Sequence, residues 1–278
     1  MHRRLHEEEI DTLIFRDGEG RPYQEGGDSM TSHTPAPGND QAFRPLFAPR
    51  EADDQSSHAH RQFIGVLGLV LPVLLWLISG VRPTKDLPQW ELLGSISAYY
   101  YTGAVAAFVG LLCALGVFLF TYKGYKNDYS RRDRVAAIVA SIAAILVAFF
   151  PTGAPNDSLK LSWWTAQTGV THYTSAVILF CTFAFFSLIL FPKSKDKSWG
   201  QLPFDKRVRN TIYVSCGIAI VSCMVWAGVA GVVEAQIFWP EALALEFFAL
   251  SWLVKGRADW TAVAVGRRIW RLRQKQRG

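Results

Sequence analysis

Two carboxylates and one imidazole stand where an apolar chain has little reason to keep them. Glu241 and Glu246 fall inside an otherwise apolar run from Ile237 to Val254, and His172 lies near the start of another. An acid in the middle of a hydrocarbon layer costs roughly 2.5 to 3.5 kcal/mol on insertion scales, so it is seldom retained idly. At about 1.5 Å of helical rise per residue, Glu246 lies near the midplane of such a layer and Glu241 in its outer half. Five residues apart, the two point about 140° from each other and cannot share one face as a carboxylate pair. No apolar run supplies a Lys or Arg. Glu246 is therefore expected either as a proton or cation relay in a carrier, or as a neutral group hydrogen-bonded to hydroxyls such as Ser141, Ser215 or Ser222.

The remaining histidines narrow the chemistry. Of six, His2, His6, His33, His58 and His60 belong to the polar N-terminal stretch, which leaves His172 alone among the apolar runs. A three-histidine zinc site or a bis-histidine haem cannot be built from one imidazole. Neither His-Glu-x-x-His nor Gly-x-Ser-x-Gly occurs. These absences argue against intramembrane metalloproteases, ceramidase-like hydrolases, b-type cytochromes and serine hydrolases. A hydrolase remains conceivable if His172 and Glu241 act as acid and base, which requires them within hydrogen-bond reach directly or through one water. The four cysteines, Cys113, Cys181, Cys216 and Cys223, all lie in apolar runs without Cys-x-x-Cys spacing, so they read as packing residues. No metal and no cofactor is expected.

The elements that must position these groups are six apolar stretches, about Phe63 to Val81, Gly103 to Tyr122, Val135 to Phe150, Val170 to Phe191, Ile212 to Gly231 and Ile237 to Val254. Each approaches the roughly 20 residues that cross a bilayer core as a helix. The first lies too deep in the chain to be a cleaved signal peptide and is expected to stay as an anchor. Cations between the runs alternate. Lys123, Lys126, Arg131, Arg132 and Arg134 crowd the second connection, and Lys193, Lys195, Lys197, Lys206, Arg207 and Arg209 the fourth, while the first carries Arg82 and Lys85, the third Lys160 and the fifth none. Positive flanks are retained in the cytoplasm, so both ends of the chain are expected there. The net charge of +6 and pI near 9.2 follow from these flanks and point to anionic lipid headgroups rather than nucleic acid.

This topology gathers Ser95, Ser97, Tyr99, Asp157, His172, Ser175 and Glu241 at the outer ends of the spans. Such a group could line a shallow pocket for a lipid headgroup or small polar ligand, or form no more than a solvated rim. Small residues recur at Gly103, Ala107, Gly110 and Ala114 and at Ala136, Ala140, Ala144 and Ala148, a pattern that lets helix backbones approach within a bundle. Tyr99, Tyr100, Tyr101, Tyr122, Tyr125, Trp163, Trp164 and Tyr173 collect at the span edges and read as an interfacial belt.

Residues 1–61 are rich in Gly, Pro and charge and are expected to be a disordered cytoplasmic tail. Gln24-Glu25-Gly26-Gly27 can be encoded by a purine run of ribosome-binding type, which makes Met30 a candidate natural start. Residues 257–278 form a basic juxtamembrane tail. Asp259 could cap a helix there, but its apolar residues split into two groups on the wheel, which favours a segment held on anionic lipid.

Longer strings add a resemblance. Ser95-Ile96-Ser97-Ala98-Tyr99-Tyr100-Tyr101-Thr102, Gly116-Val117-Phe118-Leu119-Phe120-Thr121-Tyr122-Lys123-Gly124-Tyr125, Phe149-Phe150-Pro151-Thr152, His172-Tyr173-Thr174-Ser175-Ala176 and Ser251-Trp252-Leu253-Val254-Lys255-Gly256 together resemble a bacterial multi-pass membrane family of unknown function, distantly similar to the DRAM/Sfk-like family. The similarity covers about residues 60–256. It implies a six-helix membrane domain and transfers no catalytic motif. An acid near Glu241 fits the family pattern, whereas a polar pair expected after the tyrosines is replaced by Gly103-Ala104-Val105-Ala106.

The expectation is an all-α bundle of six transmembrane helices, residues 62–256, in the bacterial inner membrane. It is expected to be non-enzymatic and to engage lipid or a small amphiphile. A proton-linked carrier using Glu246 is the second reading, and an intramembrane hydrolase using His172 and Glu241 the third.

Overall fold

Why the chain turns helical where it does is clearest at helix starts. In this computed structural model, which describes residues 57–124, 130–193 and 204–257, Ser57 caps the first helix by accepting the His60 amide through its side chain at 3.1 Å. That helix, α1, runs His58–Val81. Then come α2, Val105–Thr121; α3, Ser130–Phe149; α4, Ala166–Phe185; α5, Phe204–Val232; and α6, Phe238–Lys255. Thr165 and Thr168 close a reciprocal capping box at the start of α4. The last turn of α4 widens into a π-helical segment, Phe186–Leu190. Short 3-10 turns, Ser97–Tyr101 and Asp157–Leu159, lie in the connections. No strand occurs among the described residues.

The chain divides into two units, Met1–Pro45 and Leu46–Gly278, and every described residue belongs to the second. The expectations for the N-terminal tail as far as residue 56, for Met30 and for the basic tail after residue 257 lie outside the described residues.

Each helix packs on its neighbours in the chain, and α6 closes the ring against α1. Aromatic side chains fill the space enclosed. Phe183 stacks on Phe248 with ring centroids 3.6 Å apart, and Trp252 meets Tyr122, Phe186 and Phe191 at 5.0 to 5.2 Å. These rings are buried. Close approach needs missing side chains: a Cβ at Gly65 would stand 2.8 Å from Leu253 and 3.0 Å from the Ala249 carbonyl, so α1 and α6 touch backbone to backbone there. The α3 stripe Ala136, Ala140, Ala144 and Ala148 is buried as expected of a bundle interface.

Three helical stretches, His58–Val81, Ala166–Leu190 and Lys206–Val232, are long and apolar enough to cross a membrane, and Val105–Thr121 is a shorter apolar helix. The outward faces stay apolar, for example Phe63, Val66, Leu69 and Val73 on α1 and Ile218, Val225 and Val229 on α5. In water such continuous stripes would be costly.

Several expectations need correction. The first helix begins at His58, so His58, His60 and Arg61 belong to the bundle rather than to a tail, and Arg61 is fully buried beneath the Tyr122 ring, 5.8 Å away. The third helix begins at Ser130 and the fifth at Phe204, so Arg131, Arg132, Arg134, Lys206, Arg207 and Arg209 ride on helical turns. The belt reading fails for Tyr99, Tyr101 and Tyr122, which are buried in the protein, while Trp163 and Tyr173 stay exposed. The α2 stripe does not pack throughout: a Cβ at Gly110 would meet nothing within 4 Å. Gly116 makes the tight contact instead, its carbonyl accepting the Ser141 hydroxyl at 2.7 Å.

Candidate functional site

At one end of the bundle the loops before α2, α4 and α6 are tied together through the segment Gly94–Thr102. Its 3-10 turn is set by Ser95, whose hydroxyl accepts the Ala98 amide at 3.0 Å. The Ile237 and Phe238 amides both donate to the Gly94 carbonyl, at 2.7 and 3.0 Å. The Ile96 amide donates to Glu241 Oε2 at 2.7 Å. His172 reaches the next residue, its Nε2 lying 2.9 Å from Ser97 Oγ, while its Nδ1 lies 2.6 Å from the Phe150 carbonyl. A carbonyl can only accept, so Nδ1 carries the hydrogen and Nε2 is left to accept from the Ser97 hydroxyl. Beside it the Tyr101 hydroxyl donates to the Thr152 carbonyl at 2.5 Å, and Thr152 Oγ1 and the Tyr173 hydroxyl share a hydrogen bond of 2.6 Å.

Of the seven residues expected at this end, Ser95, Ser97, Tyr99, His172 and Glu241 converge on the segment. Asp157 does not: it is exposed on its own turn, where Asn156 and Ser158 bind Asp86 instead. Ser175 is buried one turn beyond His172 and makes no hydrogen bond to it. Glu241 and His172 are not bonded to each other; they hold the consecutive residues Ile96 and Ser97. Tyr99 is fully buried against Phe238, and burial pushes its phenol above the ordinary value, with the Leu93 backbone pulling the other way. Burial, then the neighbouring Tyr100 and Tyr173, raises Tyr101 from 10.0 to about 12.

A serine hydroxyl on an imidazole whose far nitrogen is fixed has the orientation of a nucleophile and its base. Here it is sealed. His172 is 1 % exposed and Ser97 9 %. The cluster works as a polar clasp that joins three loops.

Glu246 is placed apart. It shares a stripe of α6 with Trp239, Leu243 and Leu250, all three exposed, and is itself half-buried. Spacings of four, three and four residues put these on one outward face. Among the described residues it has no hydrogen-bond partner, and Ser141 is spent on Gly116. A relay through the inside of the ring gains no support from this position.

A larger concavity lies on the side of the ring, between α3 and α4. It has a volume of about 660 Å³ and is lined by Val135, Ala136, Val139, Val177, Ile178, Cys181, Thr182 and Phe185, with Arg131 and Arg132 at one end. Small-molecule sites occupy about 300 to 1,000 Å³. The helices are antiparallel neighbours, and the lining positions recur at steps of three and four on each, so both present one face to the groove. Ala136 and Thr182 form its buried floor, and the Thr182 hydroxyl is given to the Ile178 carbonyl at 2.7 Å. Beyond the cationic end stands Lys193, whose ammonium is held below its usual range by burial and then by Arg132, with Asp133 opposing. In the sequence Arg131 and Arg132 serve only as topology markers. Their spacing to Val135 and Val139 is readable there, but the face of α4 that completes the groove is not.

Fold and sites together define an all-helical chain, among the described residues, with three helices of membrane-crossing length and apolarity. No family model, curated protein or solved structure matches it.

Proposed function

We propose that the chain is a six-span protein of the bacterial inner membrane, with both ends in the cytoplasm, that engages lipid or a small amphiphile without performing chemistry on it. One observation carries this reading: Ser97, His172 and Glu241 are held in a buried clasp, whereas the roomy concavity opens sideways, between two helices, where hydrocarbon would be. The apolar outward faces and the crowding of cations at the opposite end from the clasp support the same orientation. The resemblance to bacterial relatives of the DRAM/Sfk-like family is consistent with a six-helix membrane domain.

Two measurements test it. In a cysteine-free chain, a single cysteine replacing Lys195 should react with an impermeant maleimide only after the inner membrane is opened; labelling of intact spheroplasts would overturn the orientation. Native mass spectrometry of protein released from its own membrane should show a retained lipid or amphiphile. Bare protein under conditions that keep the fold would sink the binding role.

A further inference from the structure

Arg131 and Arg132 sit in the first turn of α3, with Arg134 beside them and Asp133 as the acid of that turn. A helix N-terminus carries the positive end of the macrodipole, where cations are disfavoured and anions welcome. Both groove arginines remain exposed there. From Arg131 to Val139, and from Val177 to Phe185, the groove follows eight residues of helix, about 12 Å at the α-helical rise. Half of a hydrocarbon core is about 15 Å. The concavity therefore starts at a cationic rim and runs inward for most of one leaflet, with apolar walls and a floor whose hydroxyl is already bonded.

We infer that this groove holds one anionic phospholipid of the cytoplasmic leaflet, with an acyl chain along Val135, Val139, Val177, Ile178 and Phe185 and its phosphate on Arg131 and Arg132. The inference rests on the membrane reading above and adds the class of ligand and the groups that select it. Guanidinium forks match phosphate oxygens in pairs, which a zwitterionic lipid's choline would crowd and a simple anionic headgroup would not.

The test uses the full chain in nanodiscs made of equal phosphatidylglycerol and phosphatidylcholine, with retained lipid identified by native mass spectrometry after release. Wild type should keep one phospholipid, enriched in phosphatidylglycerol on the order of tenfold over the bulk. The double variant Arg131→Gln, Arg132→Gln, altered only at exposed positions, should keep a lipid but lose the enrichment. Val139→Trp with Val177→Trp, which fills the groove from two exposed positions, should lose the lipid while circular dichroism and thermal melting show a folded bundle. Lipid retained without headgroup preference, or preference that survives the arginine changes, overturns this inference and leaves the broader reading standing. Lipid retained despite a filled groove overturns the site. No retained lipid in wild type removes the broader reading itself.

Discussion

Glu241 accepts the backbone N–H of Ile96 at 2.7 Å, joining the first turn of α6 to a loop 145 positions earlier in the chain. With His172 holding Ser97, α6 and α4 grip consecutive residues of one short segment. The acid and the imidazole thus meet through the backbone between them.

Removing the Glu241 acceptor leaves the buried Ile96 amide without its partner. Glu241→Ala should lower stability by about 1 to 3 kcal/mol, the cost of an unsatisfied buried donor. Glu241→Gln keeps a carbonyl oxygen at the same place and should recover most of that loss. Thermal unfolding in detergent compares them, and equal stability of the Ala and Gln variants would show that the hydrogen bond does not matter.

Ser97 and His172 should behave as a structural pair. Single substitutions Ser97→Ala and His172→Ala each break the same contact, so their effects should be non-additive by about 0.5 to 3 kcal/mol in a double-mutant cycle. Because the pair is sealed from solvent, Ser97 should stay unlabelled by a fluorophosphonate probe in the folded protein. Labelling that requires His172 would instead reveal a working nucleophile.

Tyr101 makes stability fall at high pH. Its phenol ionises near 10.0 in the unfolded chain and at about 12 in the fold. The folded state therefore keeps a proton that the unfolded state has released, and stability declines as pH rises from 10.0 towards 12. Tyr99 is shifted in the same direction. Tyr101→Phe should flatten part of that decline, and ultraviolet difference spectra should show one fewer late-ionising tyrosine.

Glu246 lies on an outward face, so its carboxyl should matter for insertion more than for packing. Glu246→Leu should make insertion of the α6 segment more favourable by about 3 kcal/mol in a glycosylation-based assay. Glu246→Gln should leave proton flux in proteoliposomes at the wild-type level. A flux that disappears in the Gln variant would restore the relay.

Much of the helical plan is legible along the chain because an apolar helix declares itself by local composition. The run from Phe63 to Val81 needs no partner to be recognised, and the cations of the second and fourth connections are visible at a glance. Boundaries are less so. The first helix starts at His58, with Arg61 hidden under Tyr122, because burial by α2 outweighs the polarity that marks those residues as a tail. The same holds for Tyr99 and Tyr101, which look interfacial by position and are drawn inside by loop contacts.

By itself, then, the order of residues determined an all-helical architecture and brought Glu241, His172 and the serines of Gly94–Thr102 to one end of it, since helix length and connection order decide which termini lie level. Only the tertiary structure decided that these groups close on one another, that Glu246 turns outward, and that Arg131 and Arg132 crown a groove completed by α4. Composition is additive along a chain, whereas the direction a side chain faces depends on which neighbour it is packed against, and that neighbour is often more than a hundred residues away.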